Sequence, residues 1–287
     1  MTLPPKPKPS FYRLLSPAAS TITALFGGFW QWSPIQRSTE TLDISHHTLV
    51  IPGLPAAFDG LTLTHLSDLH ASTLVRLEFL QSAIAQAQQL ASDLIVITGD
   101  LVYSDGPDYT PHLTALLAPL TAPLGVYAIY GNHDHQRSLP AIAAALKQAN
   151  VTLLYNTALP LHRNGHTLYL AGVDDPREGR PLLANALRTV PPDGFVILLA
   201  HAPDFADIAA QDTRIRLQLS GHSHGGQIRL PLIGPLYLPT MGRKYVMGRF
   251  QLGHLTLYVN RGLGVSGIPL RLNCRPEISI FTLRTAR

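Results

Sequence analysis

From about Thr39 onward, short apolar runs alternate with stretches in which apolar residues recur every three or four positions. Leu94-Ile95-Val96-Ile97 is apolar throughout, as a strand buried between two layers should be, and it stops at Thr98-Gly99-Asp100. Leu61 to Leu66 is a β-prone run ending at Ser67-Asp68, and Val126 to Tyr130 is another ending at Gly131. Between them, Leu74 to Leu90 sets Leu77, Leu80, Ile84, Ala87 and Leu90 at helical spacing, and Tyr109 to Leu120 reads as a second helix. Ser138, followed by Pro140 and by Ile142, Leu146 and Ala149 on one face, marks a capped helix start.

The second half keeps this rhythm. Strands are expected at Thr167 to Gly172, Phe195 to Ala200 and Leu217 to Ser220, with short helices at Leu182 to Arg188 and from Pro203 through Ala210. Strand and turn signals follow at Leu255 to Val259, Gly262-Leu263-Gly264 and Ile278 to Leu283. Alternating strands and helices define α/β layering. No internal repeat is visible and no linker divides the pattern, so residues 39–287 are expected to form one domain.

Residues 1–38 differ in kind. Met1 to Ser10 is rich in Pro and Lys and reads as a disordered tail. Leu14 to Gln36 then carries no charged side chain and is long enough to cross a bilayer, but several Ser, Thr and Gln residues make it a poor span. Phe26, Phe29, Trp30 and Trp32 suit the headgroup zone, so the segment is read as membrane-associating, with the domain peripheral on the cytoplasmic face. A true span is the alternative. The basic residues before it would then leave the N-terminus inside and the domain outside.

The chain has 287 residues, of which 46% are hydrophobic and 14% charged, enough apolar content for a large core and too much for disorder. The formal net charge of +4 suits an anionic substrate or membrane surface. No dense Lys/Arg run is present and only 7% of residues are aromatic, so no stacking groove for nucleic acid is expected. The single cysteine, Cys274, allows no intramolecular disulfide and reads as a small buried hydrophobe.

Five polar clusters sit where strands run out: Asp68-Leu69-His70, Gly99-Asp100, Gly131-Asn132-His133-Asp134, His201, and Gly221-His222-Ser223-His224. A lone Asp after a strand is more often a cap, and a lone His more often a surface residue. The joint pattern is what points to a dinuclear metal site. Carboxyl ends of strands line the ligand crevice of layered α/β folds, so these groups can converge although distant in sequence. In extended backbone the i, i+2 pairs Asp68/His70 and His222/His224 would each project to one side. The oxygen and imidazole donors suit Mn, Fe, Zn or Mg.

These motifs resemble the calcineurin-like metallophosphoesterase superfamily, whose pattern runs D-x-H, G-D, G-N-H-[DE], H, G-H-x-H. The resemblance covers about Leu61 to Leu283. Leu66 to His70, Gly221 to Ile228, Asn260 to Gly264 and Arg275 to Ile278 are similar to the bacterial YkuE/YaeI-type subgroup. The resemblance implies a four-layer α/β/β/α sandwich of two mixed sheets. It also implies one metal on Asp68, His70 and His224 and a second on Asn132, His201 and His222, with Asp100 bridging. His133 would act on the leaving oxygen, with Asp134 or Asp68 orienting its imidazole. The implied reaction is attack on a phosphodiester or pyrophosphate by a hydroxide shared between two divalent ions.

Arg177, Arg180, Arg229 and Arg261 lie in Gly/Pro-rich stretches and are candidate substrate-binding residues, as are Arg243 and Lys244. The expected partner is a phosphate-ester small molecule or a lipid-linked substrate at a membrane surface. Some bacterial relatives hydrolyse UDP-2,3-diacylglucosamine in lipid A synthesis, a candidate activity here by analogy. A non-catalytic metal-binding scaffold is the contrasting reading; it would be expected to have lost ligands, and none is missing.

Overall fold

The computed structural model describes residues 39–286, so the tail and the apolar segment of residues 1–38 lie outside the described residues. Two six-stranded mixed sheets face each other. The first holds β1 (Asp43–Ile51), β14 (Glu277–Thr285), β2 (Thr62–Leu66), β3 (Leu94–Thr98), β4 (Val126–Ile129) and β5 (Thr152–Leu153) in that spatial order. The second holds β12 (Gly248–Leu252), β13 (Leu255–Val259), β9 (Ile215–Ser220), β8 (Val196–Leu199), β7 (His166–Gly172) and β6 (Thr157–Arg163). A small antiparallel pair, β10 (Arg229–Leu230) and β11 (Gly234–Pro235), stands apart from both.

Strand alternation builds the layers. In β3, Ile95 and Ile97 face the helices, while Leu94 and Val96 face the other sheet. In β8, Val196 and Leu198 face outward into their own helical layer, and Ile197 and Leu199 turn to the shared interior. Helices α1 (Leu77–Gln89), α2 (Leu113–Leu117) and α3 (Leu139–Gln148) cover the first sheet, and α4 (Leu183–Ala186) and α5 (Ala206–Ala209) cover the second. The four-layer α/β/β/α sandwich is therefore present.

The elements depart from the pattern at identifiable places. The helix expected over Tyr109 to Leu120 is a 3₁₀ turn, Thr110–His112, followed by the short α2, because Pro119 cannot donate to the helix ladder. Ser138 caps α3, its Oγ accepting from the Ala141 amide at 3.4 Å. β1, β6 and β12, absent from the apolar pattern, are all edge strands whose exposed faces keep polar residues. Pro160 is tolerated in β6 for the same reason. Among the described residues no helix is long and apolar enough to cross a membrane.

One polar bolt crosses the apolar interface between the sheets. Tyr258 of β13 donates to Glu277 Oε1 of β14 at 2.6 Å, joined by Ser45 at 2.5 Å and Ser279 at 2.9 Å. Arg261 Nε donates to Oε2 at 2.8 Å. Burial alone pushes the Glu277 carboxyl up, but Arg261 and the hydroxyl donors outweigh it and hold the group at about 2, against an ordinary value of 4.5. A lowered folded pKa contributes stability that is present above the ordinary value and lost as pH falls through the folded one. The melting temperature should thus fall between pH 4.5 and about 2, and Glu277→Gln should start lower at neutral pH and lose less across that window. Parallel melting profiles for the two proteins, followed by circular dichroism, would refute this role.

Candidate metal centre

β2, β3 and β4 run parallel in one sheet, and β7, β8 and β9 run parallel in the other. Their carboxyl ends meet along one edge of the sandwich. The turns that follow carry Asp68 and His70 after β2, Asp100 after β3, Asn132 after β4, His201 after β8, and His222 and His224 after β9. All seven side chains are 5% exposed or less.

The backbone makes this convergence by left-handed turns. Asp68, His70, Asp100, His222 and His224 all have φ between 46° and 67°. Such values are uncommon outside glycine, and they gather at sites where the surrounding fold enforces them. The extended i, i+2 geometry expected for the two pairs is therefore absent. Its consequence for His222 and His224 is reversed: they diverge, one to each half of the centre. Gly131 and Gly221 are required by close approach. A Cβ on Gly131 would lie 2.3 Å from Asp100 Oδ1, and one on Gly221 would lie 2.1 Å from Asp68 Oδ2.

Two separate ligand groups result, linked by a third that shares His70 and Asp100 and adds His133. Asp68, His70 and His224 form one, and Asp100, His201 and His222 the other, with ligand atoms in each lying within 4.8 Å of one another. Asp100 Oδ2 stands between them, 3.2 Å from His201 Nε2 and 3.4 Å from His70 Nε2. Its other oxygen, Oδ1, accepts the His133 amide at 2.8 Å. Asp68 is fixed by the Ser67 hydroxyl at 2.6 Å and the His222 amide at 3.1 Å.

The hydrogen bonds leave several buried polar atoms facing inward without a partner. His201 Nδ1 meets the Thr98 carbonyl at 2.7 Å; a carbonyl only accepts, so Nδ1 carries the hydrogen and Nε2 is left with no partner. By the same logic His222 donates from Nε2 to the Thr240 carbonyl at 2.9 Å and offers Nδ1. His70 and His224 point Nε2 at each other, 2.9 Å apart. Asn132 Oδ1 is buried without a hydrogen-bond partner. Orphaned buried acceptors of this kind are rare unless an ion completes them, and a carbonyl behind a ligating imidazole is the usual support. The donor set fits divalent metal.

The charges are coupled accordingly. Burial pushes Asp100 up, but His201 and His133 outweigh it and hold the carboxyl well below its ordinary range. Asp68 is likewise held low by His224 and His201 against burial. Burial would lower His201, yet the Asp100 and Asp68 carboxylates raise it well above its usual value. His222, buried and next to His201, is pushed down to about 3. The pocket thus keeps both carboxylates ionised.

His133 adjoins this centre, its ring edge-on to His70 at 4.8 Å and stacked on Tyr103 at 4.9 Å. The Ser104 amide and hydroxyl meet its Nδ1 at 3.4 and 2.7 Å. An amide can only donate, so Nδ1 accepts and Nε2 carries the hydrogen. Burial lowers the pKa, leaving a neutral donor. Ser104, rather than Asp134 or Asp68, orients the ring. Asp134 accepts from the Gly131, Leu101 and Val102 amides at 2.9, 3.0 and 3.2 Å, bracing two ligand loops against each other, and burial beside Asp100 pushes its carboxyl up to about 7.

The predicted arginines divide. Arg177 lies near enough to depress His133, whereas Arg180 is exposed. The Arg261 guanidinium is committed to Asp43 at 2.6 Å and Glu277 at 2.8 Å, and Arg229 Nη1 donates to the Gly225 carbonyl at 2.8 Å. Both therefore hold backbone and sheet edges in place. Lys244 pairs with Asp207 at 2.7 Å. His65 is buried against Thr98 at 2.8 Å, and Cys274 is buried with Sγ at the His224 carbonyl.

Sequence reasoning missed Asp175. It follows β7 in Gly172-Val173-Asp174-Asp175 and is buried in the field of His201 and Asp100, with Oδ2 unpartnered. The strand-end acid that flagged Asp68 and Asp100 was present here too. Its neighbour Asp174 pairs with His135 at 2.7 Å. Arg271, fully buried beneath His224, was also missed; it donates to the Arg261, Gly262 and Gly264 carbonyls.

A fold and donor set of this kind define a metal-dependent phosphoesterase. The calcineurin-like phosphoesterase family model matches residues 61–226, and the chain belongs to that family. It is 39% identical to the uncharacterized metallophosphoesterase YkuE of Bacillus subtilis, over 85% of this chain and 86% of that protein. It is 34% identical to the phosphodiesterase YaeI of Escherichia coli, over 76% and 80%. A transmembrane protein with metallophosphoesterase domain from Danio rerio is 33% identical over 81% of this chain and 55% of its own length. Membership makes the chain a hydrolase of phosphate esters that uses divalent metal.

Divalent ions that bind only the folded chain stabilise it by mass action. Adding Mn or Zn to metal-stripped protein should raise its melting temperature, and Asp100→Ala should abolish most of that rise. An undiminished rise in the variant would remove Asp100 from the centre.

Proposed function

We propose that the chain is a dinuclear phosphodiesterase or pyrophosphatase acting on a lipid-linked phosphate ester. The observation that carries the dinuclear reading is Asp100 Oδ2, placed within 3.4 Å of an imidazole from each ligand group. Asp68, His70 and His224 would hold one ion and Asn132, His201 and His222 the other, with Asp100 shared. Two such ions would draw the pKa of water towards neutral and offset the charge on the phosphate oxygens. Asn132 contributes an oxygen without adding charge, which keeps the net charge of the nest low. His133 presents Nε2–H beside the centre and would hydrogen-bond the leaving oxygen, stabilising the charge that builds on it. Asp134 and Ser104 act through position, fixing the loop and the ring. Every ligand is present, which argues against a scaffold that has lost catalysis.

The lipid-linked substrate is supported by the uncharged, aromatic stretch Leu14 to Gln36 and by the net positive charge. It is supported also by the membrane location stated in the name of the Danio rerio relative. UDP-2,3-diacylglucosamine is the specific candidate, a pyrophosphate joining a nucleotide to an acylated sugar. Peripheral attachment to the cytoplasmic face or a span placing the domain outside both keep the centre near lipid.

Metal analysis of the purified chain should find two divalent ions, and Asn132→Ala should reduce the count and turnover together. His133→Ala should keep both ions and lose turnover by roughly 10²–10³-fold, the range for losing one donor to a developing oxyanion. Near-normal turnover in that variant would take His133 out of the reaction. Assays on bis-p-nitrophenyl phosphate, p-nitrophenyl phosphate and UDP-diacylglucosamine, with and without detergent, test the substrate class. Equal rates on all three would overturn the lipid reading.

A further inference from the structure

The loop that leaves the ligand residue His224 runs into an exposed apolar finger. β10 and β11 form its stem, and Leu232 at the tip is fully exposed with φ of 67°. Ile233 is 72% exposed and Leu236 58%. A second loop lies alongside, bridged at Ile228–Leu272 and held by Gln227, whose amide donates to the Ser266 and Ile268 carbonyls. That loop adds exposed Ile268 and Leu272 to the same surface. A bulky apolar side chain in a left-handed turn, fully in water, gains nothing from packing within this chain.

Charge selects what this surface meets. From Thr213 to Pro276 the chain contains no Asp or Glu, while nine Arg and Lys residues fall in the same stretch. Among the described residues Arg229, Arg243 and Arg275 form no salt bridge, and Arg243 and Arg275 are exposed. Apolar groups flanked by unpaired cations complement a bilayer with anionic headgroups, where acyl chains receive the first and phosphates the second.

The finger is built onto the metal centre. Arg229 holds the Gly225 carbonyl, and Pro235 covers Gly226 so closely that a Cβ there would lie 2.3 Å from it. Downstream, the Thr240 carbonyl accepts from His222, and the Val246 carbonyl from Ser223. A groove of about 560 Å³ follows the stem from Arg229 to Gly234, with Asn273 on its far wall. We infer that this hairpin is a lipid-docking surface, inserting Leu232 and Ile233 among the acyl chains of an anionic membrane and thereby bringing headgroup phosphates to the metal centre. The last clause rests on the lipid-linked reading above; the docking itself does not.

The test uses the full chain with Trp30→Phe, Trp32→Phe and Leu232→Trp, so that the introduced indole is the sole reporter. Vesicles carry brominated acyl chains, in phosphatidylcholine with or without phosphatidylglycerol. Blue-shifted, quenched emission that strengthens with phosphatidylglycerol is expected. Protein that sediments with vesicles while its indole emission stays unmoved would overturn the proposal, since the N-terminal segment alone would then be the anchor. A concentration-dependent blue shift without vesicles would overturn it too, in favour of self-association. Leu232→Ser with Ile233→Ser should slow hydrolysis of a vesicle-embedded phosphodiester about tenfold and leave bis-p-nitrophenyl phosphate hydrolysis unchanged. Equal slowing of both substrates, or of neither, would refute delivery. A parent chain that hydrolyses neither would refute the proposed function while leaving the fluorescence result standing.

Discussion

Two carboxylates, Asp68 and Asp100, are buried at the centre of this molecule among imidazoles, and their electrostatics shape what surrounds them. An ionised carboxylate taken out of water carries a penalty of several kcal/mol unless charge and hydrogen bonds offset it. Here the offset within the chain is incomplete. The Ser67 hydroxyl and the His222 and His133 amides satisfy part of each group, while Asp68 Oδ1 and Asp100 Oδ2 face the Nε2 atoms of His224 and His201 at 3.4 and 3.2 Å. The two buried carboxylates also repel each other. A cation between them reverses the sign of that interaction, so affinity for metal follows from the way the pocket is closed.

The rest of the fold holds this unfavourable arrangement in place. Apolar faces between the sheets and against both helical layers bind the strands, and parallel neighbours bring their carboxyl ends to one edge. Left-handed turns at five ligands and close backbone approaches at Gly131 and Gly221 then set the side chains. Each turn is locally unfavourable and is tolerated because the sheets on either side leave no alternative path. Asp134 ties the loop after β4 to the loop after β3, and Arg271 ties the loop under His224. These positioning groups touch backbone, so they shape the centre without facing substrate.

Legibility in the sequence followed burial. Central strands such as β3 and β8 were plain because both faces are apolar, whereas the edge strands β1, β6 and β12 alternate with polar residues and resemble loops. The ligand residues were readable because each stands where a strand runs out. Asp175 occupies such a place as well and was passed over, although Asp100 likewise stands at a strand end with no histidine or asparagine beside it. Partners were less legible. Nothing local shows that Ser104, 29 positions before His133, supports its ring, or that Arg261 is bound to Asp43 and Glu277.

What the chain alone determined is the inventory: which strands are buried, where they end, and which donor types stand at those ends. These depend on short-range periodicity and on side-chain chemistry, and both survive without coordinates. Tertiary structure decided the sharing of the inventory. It separated His222 from His224, placed Asp100 between two groups, assigned ring hydrogens through the Thr98 and Thr240 carbonyls, and left Leu232 in water. Those outcomes depend on the spacing and register of two sheets that meet only after folding. No window along the chain contains that distance.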